Sequence, residues 1–237
     1  MGAFKYSNPV IRILIKIANL ILVSLYWALS CIPVITIMTS TSAMYYTVAK
    51  VVNGTGDGVT KAFFGAFKEN FKKGILLSLI VAASGAILFF DLYFGYANYG
   101  KSSFAMVYFF IGVPLALIWL ALVIYLPVMF ARFDGTLGVI LQLTAYFSSR
   151  NILRTVLMII VLAAVIFLAD YYPILLLLLP GLYMDIFRGS WERMIQKYLT
   201  ANGYTEPEKT EDPEEAPAEL TATEWDELFR SDEGDRK

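Results

Sequence analysis

The chain has 237 residues, 58% of them apolar and 16% charged, with no histidine and one cysteine, Cys31. Soluble globular domains run nearer half apolar and about a quarter charged, so the balance points to a membrane protein. Counting alone excludes a Cys/His zinc site, a Ser-His-Asp triad and an intrachain disulfide, while an all-carboxylate site stays open.

The net charge of −1 hides a division between a basic body and an acidic end. Residues 1–202 hold 15 basic and 7 acidic residues, net +8, whereas residues 203–237 hold 4 basic and 13 acidic residues, net −9. Cutting the body at its apolar segments puts 18 of the 19 Lys and Arg residues on one side, with Lys101 alone on the other. Cytoplasmic loops accumulate Lys and Arg and so fix orientation. The pattern predicts an integral membrane protein with both termini cytoplasmic and an even number of spans. Anionic lipid headgroups and this topology account for the basic body, so no nucleic-acid partner is expected.

The expected fold class is all-α: a polytopic membrane helix bundle of about six transmembrane helices, five being the alternative. The spans are predicted at residues 11–32, 34–52, 75–97, 104–130, 152–169 and 172–189, each near the ~20 residues needed to cross the hydrocarbon core. At the first, Lys5, Arg12 and Lys16 stand ahead of the main apolar stretch. Its apolar stretch is longer than a secretory core, and no clean small-x-small site follows it, so it reads as a span and not a cleaved leader.

The second span is the unusual one. It follows Pro33 and contains Thr36, Thr39, Ser40, Thr41, Ser42 and Thr47. Hydroxyls are costly against lipid, so this segment must face protein or water. Two readings follow: interhelical hydrogen bonding, or a cavity lining made by Thr36, Thr39, Ser40, Thr41 and Ser42, as transporter sites are built. A crossing here returns the basic 50–73 loop to the side of Lys5.

Within that loop, residues 61–73 read as an amphipathic interfacial helix. Phe63, Phe64, Phe67 and Phe71 recur at helical spacing among Lys61, Lys68, Glu69, Lys72 and Lys73. It either rests on the leaflet or docks a cytoplasmic partner. Residues 137–147 form a similar segment. In the third span Gly74, Ser78, Ala82 and Ala86 make a small-residue stripe that admits a close neighbour. Prolines 114, 127, 173 and 180 predict kinks in the later spans. Tyr93, Tyr96, Tyr99, Tyr108, Tyr171 and Tyr172 form an aromatic belt on the external side. Asp91, Asp134, Asp170 and Asp185 read as structural, with Asp185 within pairing distance of Arg188 and Arg132 able to pair with Asp134.

After residue 202 the character changes. Residues 206–217, rich in Glu and Pro, lack the apolar surface needed to fold, so a largely disordered cytoplasmic tail is expected. Thr221 to Glu224 matches a capping box, and Trp225, Leu228 and Phe229 share one helical face over residues 221–230. This is the form of a short motif that folds into a partner's groove; the alternative is a solvated tail resting on the chain's own basic loops.

Several stretches resemble the YesL-like family of bacterial integral membrane proteins (domain of unknown function 624). They are the segment from Gly2 to Pro9, residues 32–46 (IPVITIMTSTSAMYY), residues 67–71 (FKENF), residues 126–134 (LPVMFARFD) and residues 179–183 (LPGLY). The resemblance spans residues 2 to 200, the membrane domain of 1–202, and leaves the tail outside. It implies a plasma-membrane protein of Gram-positive bacteria whose genes neighbour carbohydrate uptake systems. It implies no catalytic residue.

The expected function is accordingly non-enzymatic, with no catalytic, cofactor-binding or metal residues. The chain is read as an accessory or regulatory component of carbohydrate transport. Its partners are the lipid bilayer and a sugar transporter permease or its ATPase, with homo-oligomerisation left open. Candidate contacts are Phe63, Phe64, Phe67, Phe71, Trp225, Leu228 and Phe229. No P-loop is present, so any coupling to ATP comes from another chain. The alternative is a small transporter or channel whose path is lined by the second span.

Overall fold

Hydropathy and helical length decide most of the architecture. The structure, a computed structural model, describes residues 9–52, 58–98 and 103–201. Lys5, Tyr99, Lys101 and the acidic tail with Trp225, Leu228 and Phe229 lie outside the described residues. The described elements are helices: α1 (Pro9–Ser30), α2 (Ile37–Thr47), α3 (Val59–Glu69), α4 (Phe71–Ala97), α5 (Ser103–Arg132), α6 (Leu137–Arg150), α7 (Ile152–Tyr171) and α8 (Leu179–Ala201). A 3-10 turn, Val34–Thr36, leads into α2, and a π-helical turn, Val48–Val52, leaves it. A second 3-10 turn, Pro173–Leu177, precedes α8.

Four of these helices are long and apolar enough to cross a membrane: Ile11–Ser30, Phe71–Ala97, Met106–Arg132 and Ile152–Tyr171. They coincide with the first, third, fourth and fifth expected spans. At most 17% of each one's most apolar window is buried inside the protein. Side chains such as Leu14, Phe90, Phe110 and Leu153 therefore point outward, as in a multi-pass membrane protein whose apolar faces meet lipid. The other two expected spans are of a different kind. Residues 34–52 are continuously helical, about 28 Å long at 1.5 Å per residue, but α2 is enclosed by α1, α3, α4, α5 and α8. The segment 172–189 is divided by the 3-10 turn, and α8 runs on past it with Asp185, Arg188, Glu192, Arg193 and Lys197. The α-helical part of the first, α2, has only 11 residues, and the second continues into a helix rich in charge.

The core lies at one end of the bundle. Met44, Tyr45 and Val48 of the α2 region meet Tyr125, Met129 and Phe133 from the end of α5. Leu143 and Phe147 of α6 join them with Trp191 and Ile195 of α8. The opposite end is thin: Tyr93, Tyr96, Tyr108, Tyr171 and Tyr172 are all exposed there.

Two surface helices end in the same manner. The expected single helix over 61–73 breaks at Asn70, whose side-chain amide donates to the Ala66 carbonyl at 3.2 Å; Lys72 and Lys73 already belong to α4. Asn151 does the same to Phe147 at 3.1 Å where α6 gives way to α7. The backbone then resumes through Gly74 N–H on the Asn70 carbonyl and Thr155 N–H on the Asn151 carbonyl. Asparagine competes with the backbone for hydrogen bonds and so turns the chain here. The pairs α3–α4 and α6–α7 thus share one plan: a surface helix followed, across an asparagine break, by a long apolar helix.

The small-residue stripe of α4 divides between two neighbours. Gly74 lies against α2, where an added Cβ would collide with Thr39. Ser78 accepts the Met38 N–H at 3.0 Å. Further along, Ala82 and Ala86 are exposed, and the contact passes to α5 through Ser84, which accepts Trp119 Nε1 at 2.9 Å, and Gly95 beside Phe109. Of the prolines, 114 and 127 sit inside α5. Pro180, in contrast, occupies the first turn of α8, where a missing N–H breaks no intrahelical bond.

Candidate functional site

The hydroxyls of the second segment are almost all turned back onto their own helix. Ser40 Oγ donates to the Thr36 carbonyl at 2.8 Å, Thr41 Oγ1 to Ile37 at 2.7 Å, Ser42 Oγ to Thr39 at 3.0 Å and Thr47 Oγ1 to Ala43 at 2.7 Å. Thr36 Oγ1 donates to Ser30 and Pro33 carbonyls, closing the turn from α1. Such bonds satisfy a hydroxyl without water. Thr41 also accepts Trp27 Nε1 from α1 at 3.1 Å. Thr36, Thr39, Ser40 and Ser42 are buried and Thr41 is half-buried. Thr39 differs from the rest: its Oγ1 is buried without a hydrogen-bond partner among the described residues.

A polar network that crosses three helices lies deeper toward the core end. Glu192 of α8 uses both carboxylate oxygens. Tyr45 OH of α2 donates to Oε1 at 2.7 Å, and Arg132 Nη2 of α5 meets Oε2 at 3.1 Å. Trp191 is fully buried beside it, edge-on to Tyr45 with ring centroids 5.7 Å apart. The Nε1 of Trp191 and the Nε of Arg188 are buried donors without partners among the described residues. Each such orphan costs about 1–3 kcal/mol, so the packing that encloses them is held by other contacts, notably the Tyr183, Phe187 and Trp191 rings. Sequence reasoning missed this network, since its partners lie far apart in the chain and Glu192 reads as a solvated charge.

Of the aspartates, Asp185 is taken by α1: its Oδ2 lies 2.7 Å from Lys16 Nζ. The Arg188 three positions later was the expected partner by spacing alone. Asp134 and Asp170 are exposed and Asp91 is half-buried, at three separate helix ends or loops.

A basic cleft of about 330 Å³ opens between the π-helical turn and α3. Tyr46, Lys50 and Val51 form one wall, and Lys61, Ala62, Gly65, Ala66 and Glu69 the other. Lys50 Nζ stands 4.9 Å above the Tyr46 ring, a cation–π contact. None of the hydroxyl residues at 36–42 lines this cleft. The phenylalanines of the 61–73 segment separate into two roles. Phe63 is fully buried, stacked on Phe67 at 6.3 Å and tilted against Tyr26 of α1 at 5.7 Å. Phe64 and Phe71 remain 47% and 39% exposed. Phe63 therefore anchors α3 to the bundle, leaving Phe64 and Phe71 as the members open to a partner.

No curated protein and no solved structure matches the chain. A family model described as a protein of unknown function, DUF624, matches residues 20–92. That stretch takes in α1 from Leu20, the buried polar α2, the basic cleft and most of α4. Over that stretch the chain is similar to DUF624, a family of proteins of unknown function, the family that its sequence motifs resemble.

Proposed function

We propose that this chain is a non-enzymatic, multi-pass protein of the plasma membrane, with both termini in the cytoplasm, that assists or regulates carbohydrate transport. The observation that carries the accessory role is the aromatic and basic face of α3 and the start of α4. Phe64 and Phe71 stand exposed beside Lys61, Lys68, Lys72 and Lys73, while Phe63 ties the helix down. A helix so anchored, with apolar side chains still uncovered, suits docking of a cytoplasmic partner or a permease loop. The charge bias supports the orientation, and the family resemblance supports the link to sugar uptake.

Co-purification in mild detergent, followed by mass spectrometry, tests this reading. The full chain is expected to retain a transporter permease or ATPase, and the Phe64→Ala/Phe71→Ala variant to lose it. A preparation free of any such partner counts against it.

Transport by the chain itself is the second reading, and the unpartnered Thr39 hydroxyl favours it. That reading expects solute flux in liposomes holding this chain alone, altered by Thr39→Val. The self-satisfied hydroxyls of Thr36, Ser40, Thr41 and Ser42 weigh on the other side, because groups lining a water path need not bond their own helix.

A further inference from the structure

We propose that Arg188 and Trp191 of α8, beside Tyr45 and Arg132, form a phosphate-binding site at the core end of the bundle. The phosphate is that of a lipid headgroup or of a free phosphate anion. The inference stands independently of the carbohydrate reading and rests on two buried donors, an uncompensated charge and the level of the site in the membrane.

The donors come first. Trp191 is fully buried, and its Nε1 has no hydrogen-bond partner among the described residues; the same holds for the buried Nε of Arg188. An indole N–H and a guanidinium donate and never accept, so only an acceptor satisfies either. Buried polar groups of folded proteins are paired with protein, water or a bound ion. Three positions apart on α8, the two residues share one helix face. That face meets Tyr45: the Trp191 ring stands edge-on to it at 5.7 Å, and the Arg188 charge acts on its hydroxyl.

Charge selects an anion over water. Arg132, Arg188 and Glu192 bring two cations and one carboxylate to the surroundings of Tyr45. Tyr45 and Arg132 occupy the two oxygens of Glu192, and Lys16 holds Asp185 on the preceding turn of α8. The Arg188 guanidinium is left without an ion pair among the described residues. A half-buried cation without a counter-ion is costly, and a bound anion completes the pairing.

Level and access select phosphate. Arg132 is the last residue of the apolar stretch Met106–Arg132, long enough to cross a membrane. The site therefore lies where an apolar helix leaves the hydrocarbon, at the depth of headgroup phosphates. The side chains of Arg132 and Glu192 keep some exposure and Arg188 is half-buried, so the cluster reaches the surface. A guanidinium fork matches phosphate oxygens two at a time. Neither orphan atom is open to water at rest; the anion meets the half-buried guanidinium first and is drawn across it to the indole N–H.

The test uses the full-length protein, delipidated in dodecyl maltoside, with its four tryptophans labelled with nitrogen-15. Trp191→Phe assigns the Trp191 N–H resonance. Sodium phosphate and dihexanoyl phosphatidylglycerol are titrated separately, each against sodium chloride of equal ionic strength. Binding is expected to move the Trp191 resonance saturably and to leave those of Trp27 and Trp119 in place. Arg188→Gln is expected to weaken the apparent affinity about tenfold or more, as loss of a charge-assisted bond does; unmoved Trp27 and Trp119 resonances show that this variant is folded. Either probe is likewise expected to raise the melting temperature of the native protein and not that of Arg188→Gln, a readout that needs no assignment. A response to inorganic phosphate assigns the site to a free phosphate, and a response to the lipid alone assigns it to a headgroup; both uphold the proposal. No saturable response to either probe, a response matched by chloride, or one unchanged in Arg188→Gln would overturn it.

Discussion

Tyr45 donates its hydroxyl hydrogen bond to Glu192, 147 positions further along the chain, at 2.7 Å. The other oxygen of that carboxylate holds Arg132, so one side chain of α8 ties together α2 and α5 where the core is densest. Removing the carboxylate takes the Glu192 partner away from a half-buried cation and from the hydroxyl of a buried tyrosine. A fully buried broken pair costs about 3–5 kcal/mol; with Arg132 and Glu192 side chains 25% and 19% exposed, about 2 kcal/mol is expected for Glu192→Ala. Thermal unfolding in detergent checks this. Tyr45→Phe should cost less, and the Tyr45→Phe/Glu192→Ala double variant less than the sum of the two, since they share one interaction.

The α1–α8 crossing depends on the absence of a side chain at Gly181. Its N–H donates to Ser24 Oγ at 2.9 Å. An added Cβ would lie 2.7 Å from that oxygen and 2.9 Å from the Leu20 carbonyl. Gly181→Ala is expected to destabilise the bundle by about 1–3 kcal/mol, as overpacking does, and Gly181→Val by more. Adding Ser24→Ala should restore only part, because the Leu20 carbonyl is backbone. Gly138→Ala, on open surface of α6, should leave the melting temperature unchanged or raise it slightly.

Neighbouring phenylalanines of α3 should separate stability from recognition. Phe63→Ala empties a fully buried site against Tyr26 and Phe67 and is expected to cost about 3–5 kcal/mol. Phe64→Ala removes an exposed ring and should change the melting temperature little while abolishing partner capture. Loss of both properties in both variants would show that α3 serves packing alone.

Topology is open to direct labelling. With Cys31→Ala as background, cysteines at Ile32, Tyr96, Gly65 and Gly138 can be probed with a membrane-impermeant maleimide on intact cells. If residues 34–52 cross the bilayer, positions 32 and 96 label from outside while 65 and 138 label only after permeabilisation. Labelling of 65 from outside would instead mean that this segment does not cross.

The sequence by itself determined whatever depends on local composition. The four long apolar helices lie within a few residues of their expected limits, because transfer of a helix into lipid is close to a sum over its own side chains. The amphipathic stretches near 61–73 and 137–147 were legible for the same reason. The halt at Asn70, inside a continuous helical pattern, was not; an asparagine ends a helix only where its amide finds a carbonyl and the next helix finds a neighbour. Tertiary structure also decided which ring of the aromatic face is covered. Phe63 and Phe64 are adjacent and equally apolar, and both meet Tyr26 of α1, yet only Phe63 is turned fully into the bundle. Tertiary structure likewise turned the polar second segment into the most enclosed helix of the described bundle, with its hydroxyls bonded to its own carbonyls. It joined Tyr45, Arg132 and Glu192, whose separations carry no periodic signal. Burial and long-range pairing belong to the space between helices, and no window along one helix contains that space.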